Sequence, residues 1–210
     1  IRRQRQMCIR DSFSNVDNCP DTQAKWTPDS QGCAVYQLPV AWKETGHGNG
    51  RMDTVAHFSV PTLDGTWSFR NEWNGEDVYI FLFKYTDSSG NGNNADWSKS
   101  PGSMIRQLPD NAHLFYGSFD NSFQSDVQGR KAAVQNALNA DEELKWKDRI
   151  HYIDQDMSTA SGGLGDLINN WNSLYYGIDR FQRAREIGSI YAWTSQTNDI
   201  THWAYEARMY

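Results

Sequence analysis

The distribution of apolar and polar positions along this chain predicts strands and helices in alternation. Val78 to Tyr85, VYIFLFKY, is a continuous β-branched and aromatic run, the signature of a strand buried on both faces of a parallel sheet. Upstream, His57 to Leu63 alternates loosely around Pro61, which suits an entry or edge strand. Downstream, Trp97 to Leu108 opens on Ser98 and Ser100 around Pro101 and is closed by Pro109, the punctuation of a helix. Asn111 to Phe119 predicts a second strand. Asp126 to Asn139 carries apolar residues at Val127, Ala132, Ala133, Val134, Ala137 and Leu138, roughly on a helical period. Arg149 to Asp154 predicts a third strand, and Gly165 to Trp171 a helix with Leu164, Leu167, Ile168 and Trp171 on one stripe. Strands alternating with helices define an α/β sheet covered by helices.

Composition narrows the function classes. A chain of 210 residues holds one ordinary core plus an appendage, at roughly 100 to 200 residues per domain. The formal net charge of −6 argues against a nucleic-acid partner, since phosphate neutralisation needs clustered Lys and Arg. No apolar run approaches the roughly 18 residues of a membrane span. The stretch Leu38 to Asp53 is Gly-punctuated and polar, the composition of a linker, placed over 39–53.

The first residues read as foreign to the fold. RRQRQMCIRDS, Arg2 to Ser12, resembles the in-frame translation of a common sequencing adapter, so residues 1–12 are expected to be an artefact excluded from fold reasoning. With Cys8 set aside, Cys19 and Cys33 remain, in a segment rich in Asp, Asn, Pro, Ser and Gly. Such a pair predicts a local disulfide and an oxidising compartment, hence a secreted or cell-surface location. The segment VDNCPDTQAKWTPDSQGC, Val16 to Cys33, resembles the end of a thrombospondin type 3 calcium repeat. That resemblance implies a calcium ligand at Asp17 with Asn15 as a second candidate, in a site left incomplete because the acidic run expected upstream is overwritten. Residues 13–38 form this appendage; a solvated turn-rich segment held by one disulfide fits the same residues.

HFSVPTLDG, His57 to Gly65, followed by the polar loop to Gly75 and the strand from Val78, is similar to the opening of redoxins and peroxiredoxins. The resemblance implies a thioredoxin-like domain over 54–210, with a reactive Cys at the carboxyl end of the Val78 strand. Here that place is taken by DSSGNGNNADWSKSPGSM, Asp87 to Met104, and no cysteine follows Cys33. A thiolate is the nucleophile of redoxin chemistry, so the inherited activity lacks its reactive group. Tyr175 to Trp193, YYGIDRFQRAREIGSIYAW, resembles the late antiparallel hairpin of redoxins, which implies a mixed sheet; redoxins also carry a proline just before that hairpin, absent from Asn172 to Tyr175. The Gly usual in its turn is replaced by Phe181 and Gln182.

Several constellations invite chemistry. Asp154 and Asp156 follow a predicted strand, where α/β sheets place ligands, though Asp there also caps turns. SGGLGD, Ser161 to Asp166, could offer backbone N–H groups to an anion or serve as a helix entry. His113 and His151 fall within predicted strands as structural histidines, and the five histidines show no zinc-ligand spacing. Ser118 and Ser122 lack the context of a nucleophile elbow. The loop Asp87 to Trp97 and the segment Asp154 to Gly163 are expected to border one groove, where Tyr85 and Trp97 anchor an extracellular peptide or glycan with Asp154 or Asp156 in polar contact. These readings converge on a non-catalytic module of a larger secreted or cell-surface protein, partnered by its other domains in adhesion or scaffolding. A redoxin-related oxidoreductase remnant and a carbohydrate-binding or hydrolase domain are the alternatives.

Overall fold

The computed structural model describes residues 26–28, 34–36, 39–50, 52–86, 97, 99–169 and 173–189. Fourteen elements follow in chain order: β1 Trp26–Pro28, β2 Ala34–Tyr36, β3 Ser59–Thr62, β4 Gly65–Ser68, α1 Phe69–Glu72, β5 Val78–Lys84, α2 Pro101–Ile105, β6 Ala112–Ser118, α3 Phe123–Ala137, α4 Ala140–Trp146, β7 Ile150–Asp156, α5 Leu164–Asn169, β8 Ser173–Ile178 and β9 Ala184–Ser189. The strands β1 and β2 pair antiparallel as a separate two-stranded sheet. The others form one sheet in the order β4-β3-β7-β6-β5-β8-β9.

The all-apolar run becomes the middle of this sheet because both of its faces have something to cover. Along β5, Tyr79, Phe81 and Phe83 enter one core cluster and Val78, Ile80 and Leu82 the other, as the period of two requires. Strand β6 pairs parallel with β5 in unbroken register from Val78↔Ala112 to Lys84↔Ser118, and Phe81 stacks on Phe115 at 4.4 Å. Strand β7 adds in parallel beyond β6, while β8 flanks β5 antiparallel and carries β9. Three parallel strands, then an antiparallel pair on the opposite side of the first, with helices on the faces, is a mixed thioredoxin-like α/β architecture.

Local chemistry sets the helix limits. Of the helix expected from Trp97 to Leu108, α2 covers Pro101–Ile105, with Pro101 in its first turn setting its start. Helix α3 turns Val127, Arg130 and Val134 inward. Asn139 and Glu142 close a reciprocal capping box at the start of α4. The strand expected over Arg149–Asp154 continues to Asp156, and the helix expected over Asp126–Asn139 opens earlier, at Phe123. Strand β4 and helices α1 and α4 were not foreseen.

The segment read as a linker lies along the domain. Val40 N donates to Gly75 O at 3.0 Å, and Trp73 Nε1 donates to Val40 O at 2.8 Å. Gly75 has φ +72° and a Cβ there would stand 2.2 Å from Val40 N, so only glycine admits this approach. Trp42 packs edge-on against Phe69 and Trp73 at 5.1 and 5.8 Å. The β8–β9 turn, without its Gly, places Gln182 at φ 64°. The buried Gln182 amide accepts from Lys43 N and donates to Lys43 O and Val55 O, three bonds that offset the backbone cost.

Candidate functional site

Parallel strands deliver their last residues to one end of the sheet, the end where open α/β folds place ligands. Here those residues are Lys84, Ser118 and Asp156. Lys84 Nζ lies 2.6 Å from Asp126 Oδ1 and 3.3 Å from Asp120 Oδ2. Burial pulls the ammonium pKa down, and the hydrogen bonds and charges of Asp126 and Asp120 outweigh it, so Lys84 is held above its ordinary value. Ser118 Oγ and Ser122 Oγ both donate to Asp126 Oδ2, at 2.9 and 3.0 Å. Thr86 donates its N–H and hydroxyl to Asp120, each at 2.7 Å, and Asp120 N donates to Ser118 Oγ. The two serines thus spend their protons on one carboxylate, and the cluster satisfies itself.

The four residues expected to line one groove are distributed over both sheet faces. Tyr85 packs half-buried against the first core cluster. Trp97 packs against the second, edge-on to Tyr116 at 5.4 Å with the Arg130 guanidinium 5.6 Å over its ring. Asp156 Oδ1 accepts from Ser158 N at 2.8 Å and Ser158 Oγ at 2.6 Å, closing the turn that leaves β7. Asp154 is half-buried, and its carboxylate makes no hydrogen bond or ion pair among the described residues. At SGGLGD, Gly162 N donates to Asp166 Oδ1 at 2.8 Å, so the helix entry is met by its own carboxylate. The Asp87–Asp96 loop, Asn15, Asp17, Cys19 and Cys33 lie outside the described residues. No group of three or more His, Cys, Asp or Glu side chains among the described residues is placed to hold a metal ion.

A second titratable cluster sits at the opposite, amino-terminal end of the same strands. Asp77 immediately precedes β5, and His113 and His151 are each the second residue of β6 and β7. His113 Nε2 lies 3.1 Å from Asp77 Oδ2, and His113 Nδ1 lies 3.0 Å from His151 Nε2. Asn74 Nδ2 donates to Asp77 at 2.6 Å, and Arg149 pairs with its other oxygen at 3.1 Å. Burial pushes the Asp77 carboxyl up, but His113, Arg149 and Asn74 together hold it below the usual carboxylate range. His151 is lowered to about 3, first by burial and then by its electrostatic interactions with His113 and Arg149. The aromatic face of Phe115 stacks on His151 at 4.3 Å. Strand registers place Phe115 opposite His151, and no spacing in the sequence reports that pairing.

No family model matches the chain, and no curated protein sequence matches it. A solved structure of BsSco, a member of the Sco family of cytochrome c oxidase assembly proteins, is similar with a TM-score of 0.43 and 11% identity, covering 77% of this chain and 96% of that one. The fold assignment rests on strand order and direction, not on that likeness.

Proposed function

We propose that this chain is a non-catalytic thioredoxin-like module of a larger secreted or cell-surface protein, serving adhesion or scaffolding. The observation that carries the reading is at the carboxyl end of β5. No cysteine follows Cys33, and the acids and hydroxyls around Lys84 are bonded to one another, whereas a nucleophile needs a base free to take its proton. In this reading Cys19 and Cys33 close the appendage, Asn15 and Asp17 contribute to a partial calcium site, and the other domains of the same polyprotein are the nearest partners. Tyr85, Trp97, Asp154 and Asp156 serve whatever peptide or glycan the carboxyl-end surface receives.

The test is turnover. Peroxide consumption and insulin reduction by the full chain are expected to stay at background, in wild type and with Cys8, Cys19 and Cys33 replaced by Ser. Thiol-independent turnover that survives in the cysteine-free variant would overturn the reading and promote the oxidoreductase alternative.

A further inference from the structure

The hydrogen-bond chain at the amino-terminal end ends at an open nitrogen. With the His113 ring neutral, an ionised Asp77, which only accepts, takes its Nε2–H and leaves its Nδ1 as an acceptor. His151 must then donate from Nε2, which leaves its Nδ1 as a lone pair. That Nδ1 has no hydrogen bond among the described residues. His151 stands in the wall of an open groove of about 760 Å³ between the β3–β4 hairpin, the start of β7, and α3 with α4.

The groove has a definite sign and an unfinished backbone edge. Its walls include the carboxylates of Asp64, Glu72, Glu143 and Asp148 against the ammonium groups of Lys131 and Lys147. Lys131 is 2.8 Å from Asp64, so three carboxylates and one lysine have no ion-pair partner among the described residues. Among the described residues, strands β3 and β7 pair at Thr62↔Ile153 alone, with Leu63 N bonded to Tyr152 O, and the first residues of β7 have no described strand beside them on this side.

We infer that this groove docks an extended, lysine-bearing peptide, whose ammonium group donates to His151 Nδ1 and the acidic rim while its backbone meets the open edge of β7. An anionic ligand would face the surplus of carboxylates, and an imidazole that can only accept requires a donor. A small polyamine would satisfy the rim but has no backbone to pair with the open edge of β7. Adding an extended segment to an open strand edge, with charge choosing the side chain, is a recurring mode of peptide capture. The site is separate from the carboxyl-end surface of the proposed function, and its test stands independently of that reading.

The test uses the full chain, labelled with ¹⁵N at histidine, and an acetylated, amidated octapeptide of alternating Lys and Thr. The peptide is expected to shift the His151 ring resonances saturably, with affinity falling as salt is raised. The exposed pair Glu143→Gln with Asp148→Asn is expected to weaken binding at least tenfold without touching the core. His151→Phe, which keeps the stack on Phe115, is expected to weaken it by a similar factor. Unchanged binding in both variants would overturn the inference, as would equal binding of a matching octapeptide of alternating Glu and Thr. Spermidine binding as tightly as the peptide, with the same ring shifts, would replace the peptide by a small cation and overturn it too.

Discussion

The two ends of the parallel strands β5, β6 and β7 both gather charged and hydrogen-bonding side chains, yet they differ in what remains unspent. At the carboxyl end, Lys84, Asp120, Asp126, Ser118, Ser122 and Thr86 close on one another. At the amino end, the line from Asp77 through His113 to His151 runs outward and stops at a nitrogen with no partner among the described residues, in the wall of a groove. Charge alone therefore does not mark a site: leftover hydrogen-bonding capacity beside open volume does. The end where the redoxin resemblance places chemistry is the satisfied one.

The largest expected difference between the two ends is in stability. Asp77 is 4% exposed, and its removal strands His113 and Arg149 together. Asp77→Ala is expected to cost about 3 to 5 kcal/mol, the range for breaking a buried charged pair from one side. Asp126→Ala leaves Lys84 with Asp120 and with solvent, and is expected to cost about 1 to 3 kcal/mol. Chemical denaturation of both variants checks the order; an Asp126 loss larger than the Asp77 loss would show that the closed cluster is the structural keystone instead.

How far the chain announced this arrangement depends on the range of the interactions. The Val78–Lys84 run declared a central strand because burial on both faces removes polar alternation, and its expected limits agree with β5 within one residue. Strand β4 and helix α1 have four residues each, too few to show a period. The contact between His113 and His151 depends on the register of two strands that are 38 residues apart in sequence, and register is set by packing. Gln182 holding Lys43 and Val55 is a still longer reach, which is why a Gly-rich, polar stretch reads as a linker while lying along the sheet.

A second expected difference is the direction of pH sensitivity. His151 is depressed to about 3 from 6.5, so the folded state binds fewer protons than the unfolded chain between those values. Its contribution is fully present above pH 6.5 and is lost as pH falls toward 3, with a slope of up to about 1.4 kcal/mol per pH unit. Asp77, also depressed, adds its loss only below its unfolded value of 3.8. Lys84 works in reverse: its raised pKa gives a contribution fully present below 10.5 and lost as pH rises through the folded value. Denaturation midpoints measured across pH should therefore fall in acid through the amino end and in alkali through the carboxyl end. His151→Phe is expected to flatten the slope between pH 3 and 6.5 and leave the alkaline limb intact; an unchanged acid slope would mean that another group titrates there.

The smallest expected effect lies at the last turn of the carboxyl end. Asp156 gives one oxygen to both donors of Ser158, and the turn is exposed at Ser158, so water can replace what a truncation removes. Asp156→Ala is accordingly expected to cost about 0.5 to 1.5 kcal/mol, the net worth of such bonds, and Asp154→Ala to stay within about 0.5 kcal/mol. The two changes also separate structure from recognition. A carboxylate that only shapes the turn alters the denaturation midpoint and nothing else, whereas one that receives a ligand leaves the midpoint in place and weakens binding. Asp154 is the sharper probe, because it has no hydrogen bond to lose among the described residues: a binding defect in Asp154→Ala, measured at unchanged stability, would show that the carboxyl end is not as closed as its Lys84 cluster implies and would remove the contrast between the two ends.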